Sequence, residues 1–150
     1  MVRFARSEDL SIVTDRNYIP TDRMRSLIAF QQVLIAEDEG MKLGYACFDY
    51  FGAIHPFLAL IRVFPEHRRQ GVGRAILGFL ENHLRSLGHD VLYSSSQVDE
   101  PEPQAWHRRV GFVECGFIAG FNSGGIGEIL FRKNLESSRG QKGANPTQTE

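Results

Sequence analysis

The residues best able to do chemistry lie together in Val63-Phe64-Pro65-Glu66-His67-Arg68-Arg69-Gln70-Gly71-Val72-Gly73-Arg74. Three guanidinium groups flank two glycines in a short turn. An apolar run, Phe57 to Phe64, reads as a buried strand before the turn, and Ala75 to Leu87 reads as an amphipathic helix after it. A strand, a glycine turn and a helix start make an anion site. The first N–H groups of a helix have no internal acceptor, and the helix dipole adds positive potential there. Gly71 and Gly73 let the backbone approach a ligand that a Cβ would hold off. The competing reading is a solvated basic turn.

Composition confines this chemistry to the turn. The 150 residues carry 17 basic and 18 acidic side chains, a formal net charge of −1, and 42% hydrophobic residues. That suits one domain with a real core and gives no global footprint for nucleic acid or a membrane surface. The two cysteines, Cys47 and Cys115, sit in apolar contexts and read as reduced buried thiols. The five histidines lack metal-ligand spacing, so no metal is implied. No apolar run reaches the length of a membrane helix, and the N-terminus lacks a signal peptide's apolar core. A cytoplasmic location is the expectation.

Other elements must position the turn. Val2 to Phe4 reads as an opening strand, and Ser7 as the N-cap of a helix that fades near Tyr18. A second short helix runs from Asp22 to Ala29. Gln32–Ala36 and Lys42–Tyr50 form a hairpin across a four-residue connection, Glu37 to Gly40. The one charge in the central strand, Arg62, should face a cleft or a carboxylate partner. Ile76, Leu77, Leu80, Leu84 and Leu87 make one stripe on the helix after the turn, which ends at Gly88. Val91 to Tyr93 is the next strand, ended by Ser94-Ser95-Ser96. The order strand, helix, strand predicts a right-handed crossover and a parallel pair. A proline-rich loop leads into a helix from Gln104 to Val110, in which Trp106 packs on the sheet. Phe112–Ala119 and Ile126–Lys133 make a terminal hairpin. Residues 137–150 are polar and aperiodic, and read as a disordered tail.

Arg68-Arg69-Gln70-Gly71-Val72-Gly73 resembles the acyl-CoA pyrophosphate loop of the GCN5-related N-acetyltransferase (GNAT) superfamily, Arg/Gln-x-x-Gly-x-Gly/Ala. Val63 and Pro65 match the family's Val-x-Pro at the end of its fourth strand. His107-Arg108-Arg109-Val110-Gly111-Phe112 is similar to its Tyr-x-x-x-Gly-Phe. The resemblance implies an α/β domain over residues 1–135, with a tail from 136 to 150. Its sheet would have six or seven mostly antiparallel strands and about four flanking helices. The fourth and fifth strands would form a parallel, splayed pair. It also implies acetyl-CoA as cosubstrate. The backbone of Arg68, Arg69, Gln70, Gly71, Val72, Gly73 and Arg74 would wrap the pyrophosphate, and Ile61, Arg62 and Val63 would pair with pantetheine. Tyr93 to Ser96 would line the other wall.

The reaction so implied is acetyl transfer to a primary amine of a small molecule or peptide, by direct attack in a ternary complex. The tetrahedral oxyanion needs a fixed donor, for which the N–H of Val63 or a neighbour is the candidate. An alkylammonium with a pKa of about 10 must first lose a proton. His107 stands where many members carry Tyr as general acid, and Glu66 is a candidate base. Asp49, Glu128 and a water chain through Ser94 or Ser96 are further options, since position 95 is Ser rather than a carboxylate. Glu100 stands where the family often has a pantetheine-binding Asn. The acidic residues lean towards a cationic acceptor, and the resemblance makes a homodimer possible. The alternative function is a non-catalytic acyl-CoA-binding module that has lost its acid–base groups.

Overall fold

A computed structural model describes residues 1–135; the expected tail, residues 136–150, lies outside them. Seven strands form one sheet: β1 (Val2–Phe4), β2 (Val33–Asp38), β3 (Met41–Phe51), β4 (His55–Val63), β5 (Val91–Gln97), β6 (Val113–Ile118) and β7 (Glu128–Asn134). Four helices accompany them: α1 (Leu10–Val13), α2 (Thr21–Ala29), α3 (Val72–Ser86) and α4 (Pro101–Arg109). The strand order is β1-β2-β3-β4-β5-β7-β6, and only β4 and β5 run parallel. That is the mixed, mostly antiparallel α/β sheet expected.

Two apolar layers sandwich the sheet. On one face Val72, Ile76, Leu77, Leu80 and Leu84 of α3 bury against Leu34, Ala46, Leu58 and Leu92, and Val110 after α4 joins them. Each such side chain contributes roughly 1.5–3 kcal/mol of burial. On the other face Val13, Met24, Leu27 and Ile28 cover Val33, Ile35, Tyr45 and Cys47. Thus α1 and α2 take one face, and α3 and α4 the other.

Several boundaries differ from the sequence expectation, each for a local reason. Glu37 and Asp38 stay in the ladder, because Glu37 pairs with Arg3 at 2.7 Å and with Lys42. The connection is therefore Glu39-Gly40, both at positive φ (48° and 82°), as two-residue hairpins require. The first helix stops at Val13. Ser7 is not its cap; the buried Asp9 carboxylate instead accepts the Arg6 N–H at 2.8 Å. Helix α4 begins at Pro101, where a missing N–H costs nothing. Strand β5 continues through its three serines to Gln97: Ser94 Oγ meets His107 and Ser95 Oγ meets Glu128, while Ser96 Oγ is buried without a partner. No helix among the described residues is long and apolar enough to cross a membrane.

Candidate active site

The centre of the site is a gap in the sheet. The β4/β5 ladder holds only Phe57↔Tyr93 and Leu58↔Ser94. Strand β5 then stays with β7 as far as Gln97↔Glu128, while β4 stays with β3 as far as Gly44↔Val63. A bulge marks the parting. Cys47 pairs with Leu60 and Phe48 with Leu58, which leaves Ala59 as an extra residue on β4. Bulges bend the strand that carries them.

Beyond the bulge, β4 presents an open edge to the gap. The Phe64 N–H donates to the Leu43 carbonyl of β3 at 3.0 Å. Backbone polar groups alternate along an antiparallel strand. The N–H and C=O of Ile61 and Val63 therefore point away from β3, into the gap. The Arg68 side chain already uses one of them, its Nε donating to the Val63 carbonyl at 3.2 Å. Arg62 is turned the other way. It pairs with Tyr45 in the ladder, and its Nε donates to Asp15 at 2.7 Å, the carboxylate partner its position called for. Tyr45 donates to the same carboxylate at 2.6 Å. Burial works to raise the Asp15 pKa, but the bonds from Tyr45 and Arg62 outweigh it and the carboxyl lies below its ordinary value. This triad pins the α1–α2 connection to the sheet.

The glycine turn stands at the mouth of the gap. A single 3-10 turn, Pro65–His67, follows β4, and α3 starts at Val72. Arg69 (φ 61°) and Gly71 (φ 81°) both take left-handed conformations, so the N–H groups turn inward around a concavity. Among the described residues, no protein acceptor takes the N–H of any residue from Arg69 to Arg74; the first helical bond is Ala75 to the Gly71 carbonyl at 3.0 Å. These unpaired donors at the start of a fifteen-residue helix suit a pyrophosphate. The Trp106 ring covers the turn from α4: a Cβ on Gly73 would lie 3.4 Å from its Nε1 and 3.7 Å from Val63 Cγ2.

His107 lies at the other end of the gap. It is 4% exposed, stacked at 4.6 Å on Phe131 and edge-on to Trp106 and Phe112. Its Nδ1 donates to the Pro103 carbonyl at 2.7 Å, and Nε2 meets Ser94 Oγ at 2.7 Å. Burial lowers its pKa despite the Pro103 bond, so the ring is neutral at neutral pH. With the proton on Nδ1, Nε2 accepts from Ser94, whose oxygen also lies 3.1 Å from the Leu58 carbonyl at the last rung of the ladder. His107 thus reaches the gap through Ser94.

Glu66 does not join it. Glu66 is exposed on the turn after β4, and Leu58 to Val63 alone spans roughly 16 Å of strand. A different carboxylate sits beside the gap. Glu128 at the start of β7 is 8% exposed, and accepts from Ser95 Oγ at 2.7 Å and Asn122 Nδ2 at 3.0 Å. Ser95 is the first β5 residue past the ladder. Asp49 is paired with Arg23 on α2. Sequence reasoning had no sign of Ala59 or Asp15 as contributors, because each acts through a partner distant in the chain, and it took Asn122 only as part of a turn, although its amide reaches Glu128 six residues on. A separate cleft of about 730 Å3 under α2 is lined by Arg3, Arg6 and Arg25, but Arg3 is committed to Asp9 and Glu37, and Arg25 to Asp22. Among the described residues no three His, Cys, Asp or Glu side chains converge as a metal site would need.

Known proteins resemble this chain in sequence and in fold. The L-amino acid N-acyltransferase MnaT of Escherichia coli is 29% identical over 90 residues, 57% of this chain and 52% of its own. The L-methionine sulfoximine/L-methionine sulfone acetyltransferase of Salmonella typhimurium is 27% identical over 109 residues, 70% of this chain and 63% of its own. The chain thus spans little more than half the length of these relatives. The solved structure of yncA from Salmonella typhimurium, with its cofactor acetyl-CoA, superposes with a TM-score of 0.75 at 19% identity, over 99% of this chain and 98% of that one. Residues 29–114, more than half of the sequence and the stretch that runs from α2 through the gap to the start of β6, match the acetyltransferase (GNAT) domain, and the chain belongs to that family.

Proposed function

We propose that the protein is an N-acetyltransferase that takes its acetyl group from acetyl-CoA and delivers it to a primary amine in a ternary complex. One observation carries this: unpaired N–H groups from Arg69 to Arg74 lead into a strand edge, Ile61 and Val63, that faces a gap in the sheet. A helix-start cradle suits the pyrophosphate, and an open β edge suits the amide-bearing pantetheine arm. Arg68, Arg69, Gln70, Gly71, Val72, Gly73 and Arg74 hold the phosphates in this reading. Ile61 and Val63 hold the arm, while Arg62 supports them from behind through Asp15. When bound, acetyl-CoA supplies an activated acyl carbon.

The residues of the chain then have defined tasks. The N–H of Ile61 or Val63 stabilises the oxyanion as the amine nitrogen bonds to the acyl carbon. His107 holds Ser94 at the apex of the gap, as a positioning residue. Glu66 belongs with the cradle by its place, and the base is to be sought nearer the apex. The curated relatives act on amino acids and amino-acid analogues by name, which supports a small amine as acceptor.

A second reading, an acyl-CoA-binding module without turnover, is favoured by one observation: both ring nitrogens of His107 are engaged inside an aromatic cage. Thermal denaturation with acetyl-CoA, followed by free-thiol release over amino acids, polyamines and N-terminal peptides, separates the two. Stabilisation with thiol release on an amine supports the enzyme. Stabilisation without release on any amine supports the module, and no stabilisation refutes both.

A further inference from the structure

We propose that Glu128 is the anchor for the acceptor's ammonium group, so that this site takes cationic amines across the face of the sheet opposite α3. The inference rests on the N-acetyltransferase reading above and adds to it the acceptor-binding residue.

The argument starts from charge pairing inside the fold. Among the described residues three carboxylates are buried: Asp9, Glu81 and Glu128. Asp9 has Arg3 at 2.8 Å, and Glu81 has Lys133 at 2.5 Å with Arg85 at 3.6 Å. Glu128 has no cation within 4 Å among the described residues. Its two bonds come from neutral donors, one to each oxygen. Arg132 lies four residues further along β7, roughly 13 Å away, and is exposed. A buried carboxylate that lacks a counter-charge is costly unless one arrives from outside.

Place decides what arrives. Ser95, which holds Oε2, is the first β5 residue beyond the last β4/β5 rung. The Glu128 carboxylate is therefore one hydroxyl away from the gap. Its side matters too. In the β5/β7 ladder Ser96 faces Ile129 and Ser94 faces Phe131, and Ile129 and Phe131 belong to the α3 core. Ser95 and Glu128 alternate with them and so face the opposite side. The glycine cradle lies at the start of α3. Cosubstrate and acceptor thus reach the gap from opposite faces, and the negative charge waits on the acceptor's side. Asn122, from the β6–β7 connection, fixes the second oxygen.

The test measures amine binding by calorimetry with CoA present, so that no turnover is needed. The probes are methylammonium, L-methionine, L-methionine sulfone, spermidine and an alanyl peptide. The proteins are wild type, Glu128→Gln, which keeps the shape and removes the charge, and Glu128→Asp. We expect wild type to bind at least one probe at one site. Glu128→Gln should weaken that binding by about tenfold or more, as loss of a charge-assisted bond does. Glu128→Asp should recover part of it, and CoA affinity should stay within about twofold in all three. Equal binding by wild type and Glu128→Gln would overturn the assignment, and so would a wild type that binds none of the probes. Thiol release from acetyl-CoA reports the enzymatic reading separately. Turnover without Glu128 dependence sinks only the anchor, and Glu128-dependent binding without turnover sinks only the enzyme.

Discussion

Replacing Gly71 with Ala should cost the free protein little and cripple its hold on acetyl-CoA. An added Cβ meets no atom within 4 Å, so nothing has to move. Gly71 precedes α3 at φ 81°, a left-handed conformation that costs a residue with a Cβ roughly 1–2 kcal/mol. The free variant should therefore melt about 2–8 °C below wild type. The bound state differs further, because the same methyl group stands in the cradle of unpaired N–H groups. Overpacking there costs on the order of 1–3 kcal/mol, up to about a hundredfold in affinity. At a ligand concentration 100 times the wild-type dissociation constant, acetyl-CoA stabilises wild type by about 2.7 kcal/mol. A hundredfold weaker variant gains only about 0.4 kcal/mol at that concentration. Differential scanning fluorimetry with and without acetyl-CoA reads both quantities. Gly73→Ala is the control, since its Cβ meets Trp106 and Val63 at ordinary contact distances and the motif accepts Ala there. An undiminished acetyl-CoA shift in Gly71→Ala would show that no ligand approaches there.

Three further outcomes are expected. Trp106 is the chain's only tryptophan and overlies the cradle, so titration with acetyl-CoA should change its emission; thermal stabilisation with unaltered fluorescence would move the cofactor elsewhere. His107 is held below its unfolded pKa by burial, so the unfolded chain binds more protons in the window beneath about 6.5. Its contribution is full above that window and is lost as pH falls through it. The urea-measured stability gap between wild type and His107→Phe should hence be smaller at pH 5 than at pH 7.5; a constant gap would refute the neutral caged ring. Cys47 is buried with its thiol pushed up to about 12, whereas Cys115 is exposed. A maleimide should add once to the native protein, at Cys115, and twice in denaturant, and intact mass tells which.

The part of the fold that repeats a local pattern was readable from the chain. The apolar run before Gly71, the stripe on α3 and the parallel crossover all follow from neighbouring residues, and the sheet is assembled as they require. The polar half of the site was less readable because its meaning is spatial. Ser94, Ser95 and Ser96 look like the end of a strand, since hydroxyls are rarely central. They stay in β5 because Ser94 meets His107 and Leu58, and Ser95 meets Glu128. Arg62 could be assigned a carboxylate partner in advance, but not which one, because Asp15 lies forty-seven positions earlier. His107 carried a family role by its place in the motif; its neutral, caged state depends on Phe131, Phe112 and the Pro103 carbonyl, which only the folded chain collects.

The bulge at Ala59 has a consequence for how this chain can vary. Leu58, Ile61 and Val63 all pack with the α3 core, while Leu60 and Phe64 pack beneath α1 and α2. Plain alternation cannot put positions 58 and 61 on one side. The extra residue shifts the phase of the strand by one, as an inserted letter shifts a reading frame. Removing Ala59 would leave the other rungs and faces as they are, because Leu58 already faces Phe48 and Leu60 faces Cys47, but it would take away the bend that parts β4 from β5. Between Leu60 and the glycine turn, where alternation is regular, a change of one residue would instead swap the faces of the residues beyond it, so the separation of those two landmarks carries a parity as well as a distance.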